Sequence, residues 1–173
     1  SGRLTALLNE EEVEDGDCFY LPAGRVHTIG AGLLLAEIQQ SSDVTYRIYD
    51  FDRTDSEGKK RKLHTEEALD ALDFKHYSNY KTPYEKCLNE AVPLVKSQYF
   101  QTNLLEYTTG IIREHYRKDS FVIYTCFEGQ AEIKALGQTT NISMGNAVLV
   151  PHSASDIHIR TNSGFKMLET FMP

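Results

Sequence analysis

No tryptophan occurs among the 173 residues, cysteine is limited to three, and no apolar run approaches the length of a membrane span. Crossing a bilayer as a helix takes about 18 or more consecutive apolar residues, so a spanning helix is not expected. The cysteines (Cys18, Cys87 and Cys126) are scattered, odd in number and without a CxxC spacing. They read as reduced thiols in a cytoplasmic protein, not as a disulfide framework. Positive charge is also short: 18 Lys and Arg against 25 Asp and Glu leave a net −7. A nucleic-acid surface needs a basic field, which argues against that class of partner. The opening stretch SGRLTALLNEEEVEDGD lacks the charged-then-apolar layout of a signal peptide. What remains, 40% hydrophobic, suits one domain of ordinary size or two small ones.

Along the chain, RLTALLN reads as part of a helix or an ordering segment, and EEEVEDGD as an acidic lead-in to a turn. From Cys18 the pattern changes to short runs of β-type residues: DCFYLP, AGRVHTIG, LLLAEIQQ and DVTYRIYDF. DRTDSEGKKRKLH is a polar exposed loop whose KKRK run reads as a solvated face. HTEEALDALDF predicts a short helix with Thr65 as N-cap, Glu66 and Glu67 in its first turn, and an apolar stripe at Leu69 and Leu72. The stretch around Pro83 and Pro93 reads as a connector with little regular structure. From Tyr99 onward turn residues separate eight further β-type runs, which predicts a sandwich or barrel of antiparallel strands. The expected organisation is therefore a β segment over residues 1–60, a helical and irregular connector over 61–98, and a second β module over 99–173.

One motif carries chemistry. GDCFYLPAGRVH, Gly16 to His27, has the form G-x5-P-x-G-x2-H. Gly16 permits a tight turn before a strand, Pro22 stops the ladder because it has no N–H to donate, and Gly24 lets the chain reverse. His27 then enters the next strand with its ring on one face. With Gly near 7% and Pro near 5% of residues, a chance match is on the order of one in 10⁵ per window. Alone, His27 would more simply be a packed core histidine closing a hairpin.

The pattern resembles the second motif of the cupin superfamily, small β-barrels whose histidines and a glutamate hold a divalent metal. Residues 22 to 53, PAGRVHTIGAGLLLAEIQQSSDVTYRIYDFDR, are similar to the corresponding run of the class I phosphomannose isomerases, the zinc-dependent mannose-6-phosphate isomerases. Thr28 stands where that family has alanine. The resemblance implies a mainly β, double-cupin-type architecture of antiparallel barrels or jelly rolls, the first barrel incomplete, with a short helical connector. It implies His27 as a zinc ligand and Arg47 as the active-site arginine facing a sugar phosphate. Glu37 and Asp43 would lie in or beside the substrate cleft, with Gln39 contacting substrate.

Strand parity supports this grouping. Glu37, Gln39, Asp43, Thr45 and Arg47 are all odd positions, so an unbroken extended path places them on one face. The chemistry suits the residues too. Aldose–ketose interconversion moves a proton between adjacent carbons through an enediol, and a zinc with an open position can stabilise the oxygens. A carboxylate or histidine must remove and return the proton, and Glu37 or Asp43 belongs to the set that handles or orients it. Arginine offers a fixed fork of donors to a phosphate or an enediolate.

Zinc of this kind takes three or four protein ligands, and residues 1–15 hold glutamates but no histidine. The remaining ligands are expected upstream of residue 1, which makes the chain resemble the C-terminal portion of such an enzyme. The later stretch MGNAVLVPHSASDIHI repeats the motif's form from Gly145 to Pro151, with Ser153 and Asp156 replacing glycine and histidine. It reads as a metal-free repeat, with His152 and His158 outside any ligand set. Two other readings stay open: a non-catalytic cupin module that binds sugar, and another metallo-cupin such as an iron dioxygenase or a sugar-nucleotide epimerase. An unpaired half-barrel would also leave strand edges open, which favours homodimers or aggregation.

Overall fold

The computed structural model describes residues 4–41, 44–115 and 118–173. The chain divides into two compact units, Ser1–Lys81 and Thr82–Pro173. Among the described residues of the second unit eight strands form one antiparallel sheet: β1 Ala91–Lys96, β2 Gln101–Tyr107, β3 Ile111–Glu114, β4 Val122–Ala135, β5 Gln138–Ser143, β6 Ala147–Val150, β7 Asp156–Arg160 and β8 Phe165–Phe171. Their order is β1-β2-β8-β4-β7-β3, with β5 and β6 also paired to β4.

β4 explains how the sheet curls. Its first half, as far as Gly129, pairs with β8, and its second half pairs with β5 and β7. The register shifts between Cys126 and Glu128. A bulge of one residue reverses which parity faces inward. Accordingly Val122, Tyr124 and Cys126 are buried before it, and Ala131 and Ile133 after it. The two halves thus present opposite parities to one core, built with Leu105, Ile142, Val150, Ile157, Ile159, Phe165 and Met167. Gly129 sits at the corner with φ +72, and a Cβ there would stand 2.3 Å from the Gly164 carbonyl oxygen.

Most of the runs expected from Tyr99 onward appear as strands. SFVIYTCFEG and QAEIKALG, expected as two strands, are one continuous β4. β1, which contains Pro93, lies in the stretch expected to be irregular. Its register shifts between Pro93 and Val95, the irregularity that lets a proline sit in a ladder.

The first unit departs further from expectation. The strands expected between Cys18 and Arg53 form no ladder among the described residues, and the one pairing in this unit is an isolated bridge, Thr54 to Lys60. A period-2 pattern selects a face, whereas a strand exists only through its hydrogen-bonded neighbour. Leu33, Leu34, Leu35 and Val44 are correspondingly exposed. A 3₁₀ turn covers Thr5–Leu7, and helix α1 covers Thr65–Leu69. Thr65 is the first helical residue and not the N-cap; His64 takes that place. His64 is pinned by the Arg47 backbone, donating its N–H to the Arg47 carbonyl (2.7 Å) and accepting from the Arg47 N–H at Nδ1 (3.2 Å). α1 buries Ala68, while Leu69 stays exposed. No helix among the described residues is long and apolar enough to cross a membrane.

Candidate functional site

The Gly16–His27 motif folds as its residue types require. Gly16 and Gly24 both have positive φ, +90 and +89, a conformation glycine adopts without a Cβ clash. Pro22 opens a turn closed by the Arg25 N–H to the Pro22 carbonyl, 3.2 Å. Gly24 also meets the segment after α1: its carbonyl accepts from the Asp73 N–H at 2.9 Å. A Cβ on Gly24 would lie 2.4 Å from the Ala71 carbonyl oxygen. Gly24→Ala is therefore expected to destabilise the first unit by more than the roughly 1–2 kcal/mol of the left-handed backbone alone. Urea unfolding followed by tyrosine fluorescence checks this; an unchanged midpoint would show that the contact is dispensable.

Arg25 anchors the same turn. Its guanidinium lies 4.6 Å from the Tyr77 ring centroid and 5.7 Å from that of Tyr80, and it donates to the Tyr20 carbonyl. Tyr77 in turn donates its hydroxyl to Asp73 at 2.5 Å. That hydrogen bond is the main reason the Asp73 carboxyl sits below its ordinary pKa.

His27 follows this anchored turn and is exposed. Its Nδ1 lies 3.0 Å from the Arg25 carbonyl oxygen. A carbonyl can only accept, so Nδ1 carries the proton and a neutral ring presents Nε2 as a lone pair, the tautomer a metal ligand needs. His27 thus fits as one metal donor. Among the described residues no three His, Cys, Asp or Glu side chains converge on one point, so these residues do not form a complete metal site.

Glu37 and Gln39 are exposed, and Asp43 lies outside the described residues. No hydrogen bond or ion pair among the described residues joins Glu37, Gln39 and Arg47. Arg47 is half-buried and directed instead at Asp50, its Nε 4.0 Å from Oδ1. Among the described residues of this unit Asp50 is the buried acid, 7% exposed. Arg61 donates to both of its oxygens, through Nε to Oδ2 at 2.7 Å and through Nη2 to Oδ1. Arg53 donates Nη2 to Oδ1 at 3.0 Å and Nε to the Asp50 carbonyl at 3.2 Å. The hydrogen bonds from Arg61 hold the Asp50 carboxyl below the ordinary carboxylate range, against the opposing effect of burial. The loop read as a solvated basic face thus sends one of its cations inward. A cleft of about 770 Å³ lies here, with Leu4, Ile48, Asp50, Arg53, Arg61 and Leu72 among its lining.

Sequence reasoning missed Asp50, Arg53 and Arg61. The Asp50–Arg53 spacing within a sharp turn was a visible local signal, whereas Arg61 reaches Asp50 across an eleven-residue separation that no periodicity encodes.

In the second unit, Gly145 turns with φ +84 and Asp156 is exposed at the start of β7. His152 is exposed with Nδ1 3.0 Å from the Lys118 carbonyl, and His158 is half-buried.

The curled antiparallel sheet makes this a mainly β protein of the cupin type. More narrowly, the chain resembles the C-terminal portion of the mannose-6-phosphate isomerases. It is 34% identical over 155 residues to the mannose-6-phosphate isomerase of Streptococcus mutans, covering 88% of this chain and 48% of that protein. It is 41% identical over 102 residues to a probable mannose-6-phosphate isomerase, GmuF, of Bacillus subtilis, covering 58% of this chain and 32% of that one. Among solved structures, the mannose 6-phosphate isomerase from Bacillus subtilis aligns with a TM-score of 0.60 at 26% identity, over 75% of this chain and 40% of that chain. The chain spans between about a third and a half of the length of the curated relatives it matches. No family model matches it.

Proposed function

We propose that this chain forms part of a zinc-dependent mannose-6-phosphate isomerase, which interconverts mannose 6-phosphate and fructose 6-phosphate through an enediol in the cytoplasm. The observation that carries this reading is the 34% identity over 88% of the chain to an isomerase of that name. Zinc, when bound, supplies a Lewis acid for the sugar oxygens. His27 is the ligand this chain contributes, through Nε2, with Nδ1 oriented by the Arg25 carbonyl. The other ligands belong to the length of the relatives that this chain does not span.

Arg47 is the anion clamp, Gln39 a substrate contact, and Glu37 or Asp43 the group that moves or orients the proton. The boundaries at 60 and 98, and self-association through unpaired strand edges, belong to the same reading. The alternative reading is a non-catalytic sugar-binding cupin module.

A coupled assay for fructose 6-phosphate separates the two. The full-length enzyme is expected to turn over and to lose activity with a chelator, while the 173-residue chain alone is inactive. His27→Ala is expected to lower the zinc bound per full-length enzyme, read by atomic absorption, and to abolish turnover. Full zinc content in that variant would remove His27 from the ligand set.

A further inference from the structure

Asp50 has no role in the reading above, yet the first unit is arranged around it. One buried carboxylate accepts hydrogen bonds from Arg53 and Arg61, and the Arg47 guanidinium stands beside it with Nε 4.0 Å from Oδ1. Three like charges brought to one point repel, and only the carboxylate between them makes the arrangement favourable. The backbone is bent to the same end. Phe51 and Asp52 both have positive φ, +53 and +54, in the left-handed region that an aromatic residue rarely enters. Such strain persists where the surroundings over-determine it. Here the result is a sharp turn, closed by the Arg53 N–H to the Asp50 carbonyl at 3.0 Å, which returns the Arg53 guanidinium to the Asp50 carboxylate.

Arg47 is thus held at its main chain and paired by charge at its head. Its main chain makes two hydrogen bonds with His64, and its Nε faces Asp50. Because the contact to Asp50 is made through Nε, the paired terminal nitrogens stay available as a fork for an anion. A free arginine side chain would have to give up its rotamer freedom each time it met a ligand, and prior restraint removes that cost.

We propose that Asp50 is the positioning residue for Arg47: it holds the guanidinium with its terminal fork turned outward, while Arg53 and Arg61 keep the carboxylate itself fixed. This rests on the isomerase reading and deepens it, by assigning the arginine clamp its anchor.

The test is a double-mutant cycle in the full-length enzyme, with fructose 6-phosphate production as the readout. Asp50→Asn keeps the shape and removes the charge, and is expected to lower kcat/KM about tenfold, mainly through KM. In an Arg47→Ala background the same change is expected to alter kcat/KM less than twofold, because the residue it positions is gone. Loss of a merely structural role would cost the same in both backgrounds, and that result overturns the proposal. If Asp50→Asn does not fold, Asp50→Glu serves: it keeps the charge but displaces it by one methylene. A tenfold loss that disappears without Arg47 supports the proposal, and unchanged kcat/KM overturns it. An inactive wild-type enzyme overturns the isomerase reading and this inference with it. An active wild type with additive losses overturns this inference alone.

Discussion

Glu169→Ala is expected to lower the unfolding free energy of the second unit by about 3–5 kcal/mol, the usual cost of leaving the partners of a buried ion pair uncompensated. Glu169 is fully buried on β8, in the inward row of Phe165 and Met167. Its two sheet neighbours each donate to it: Asn103 on β2 at 2.8 Å and the Tyr124 hydroxyl on β4 at 3.1 Å. Arg113 on β3 adds a forked pair at 2.9 and 2.7 Å, and the Lys118 ammonium lies 3.6 Å away. Alanine would leave two cations, an amide and a phenol without their acceptor, in a cavity the size of the lost side chain.

The pH dependence has a definite sign. Burial pushes the Glu169 carboxyl up, but the hydrogen bonds and charge of Arg113, with Lys118 and Asn103, outweigh it and hold it below the ordinary 4.5. A depressed carboxylate contributes its stability above its unfolded pKa and loses it as pH falls through the folded one. The gap between wild type and variant should be full at neutral pH and should narrow as pH drops below about 4.5. Denaturant unfolding at pH 7 and pH 3.5 checks both parts. A gap that is small at pH 7, or that fails to narrow, would show that the network does not hold the sheet.

Arg47→Ala is the second large effect. In the full-length enzyme it is expected to lower kcat/KM about 100-fold, the scale at which a charged donor that meets developing negative charge is lost. Arg47→Lys should recover little of this, because an ammonium offers a point charge where the site presents a planar fork. A change within threefold would remove Arg47 from the machinery. Zinc content provides the control, since Arg47 is not among the proposed ligands and its loss should leave bound metal unaltered.

Much of this was legible in sequence, and the reason is local. The Gly16–His27 motif states its own geometry, because positive φ and a proline-initiated turn depend on the residues that carry them. The strands of the second unit were likewise readable from Tyr99 onward, where turn residues punctuate short β-type runs. β1 was not readable, because Pro93 signals a break, and only the register shift at that point shows how the ladder accommodates it.

The charged clusters lie at the other extreme. Glu169 shares its strand face with Phe165 and Met167, but only the pairing of β8 between β2 and β4 brings Asn103 and Tyr124 beside it. Asp50 reads as one acid in a polar loop until Arg61 folds back onto it. By itself, then, the sequence determined the turn chemistry of the motif and the β character of the second unit. Both follow from φ preference and short-range hydrogen bonding. Only the tertiary structure decided which carboxylates are buried and which cations meet them, because a charge finds its partner through space.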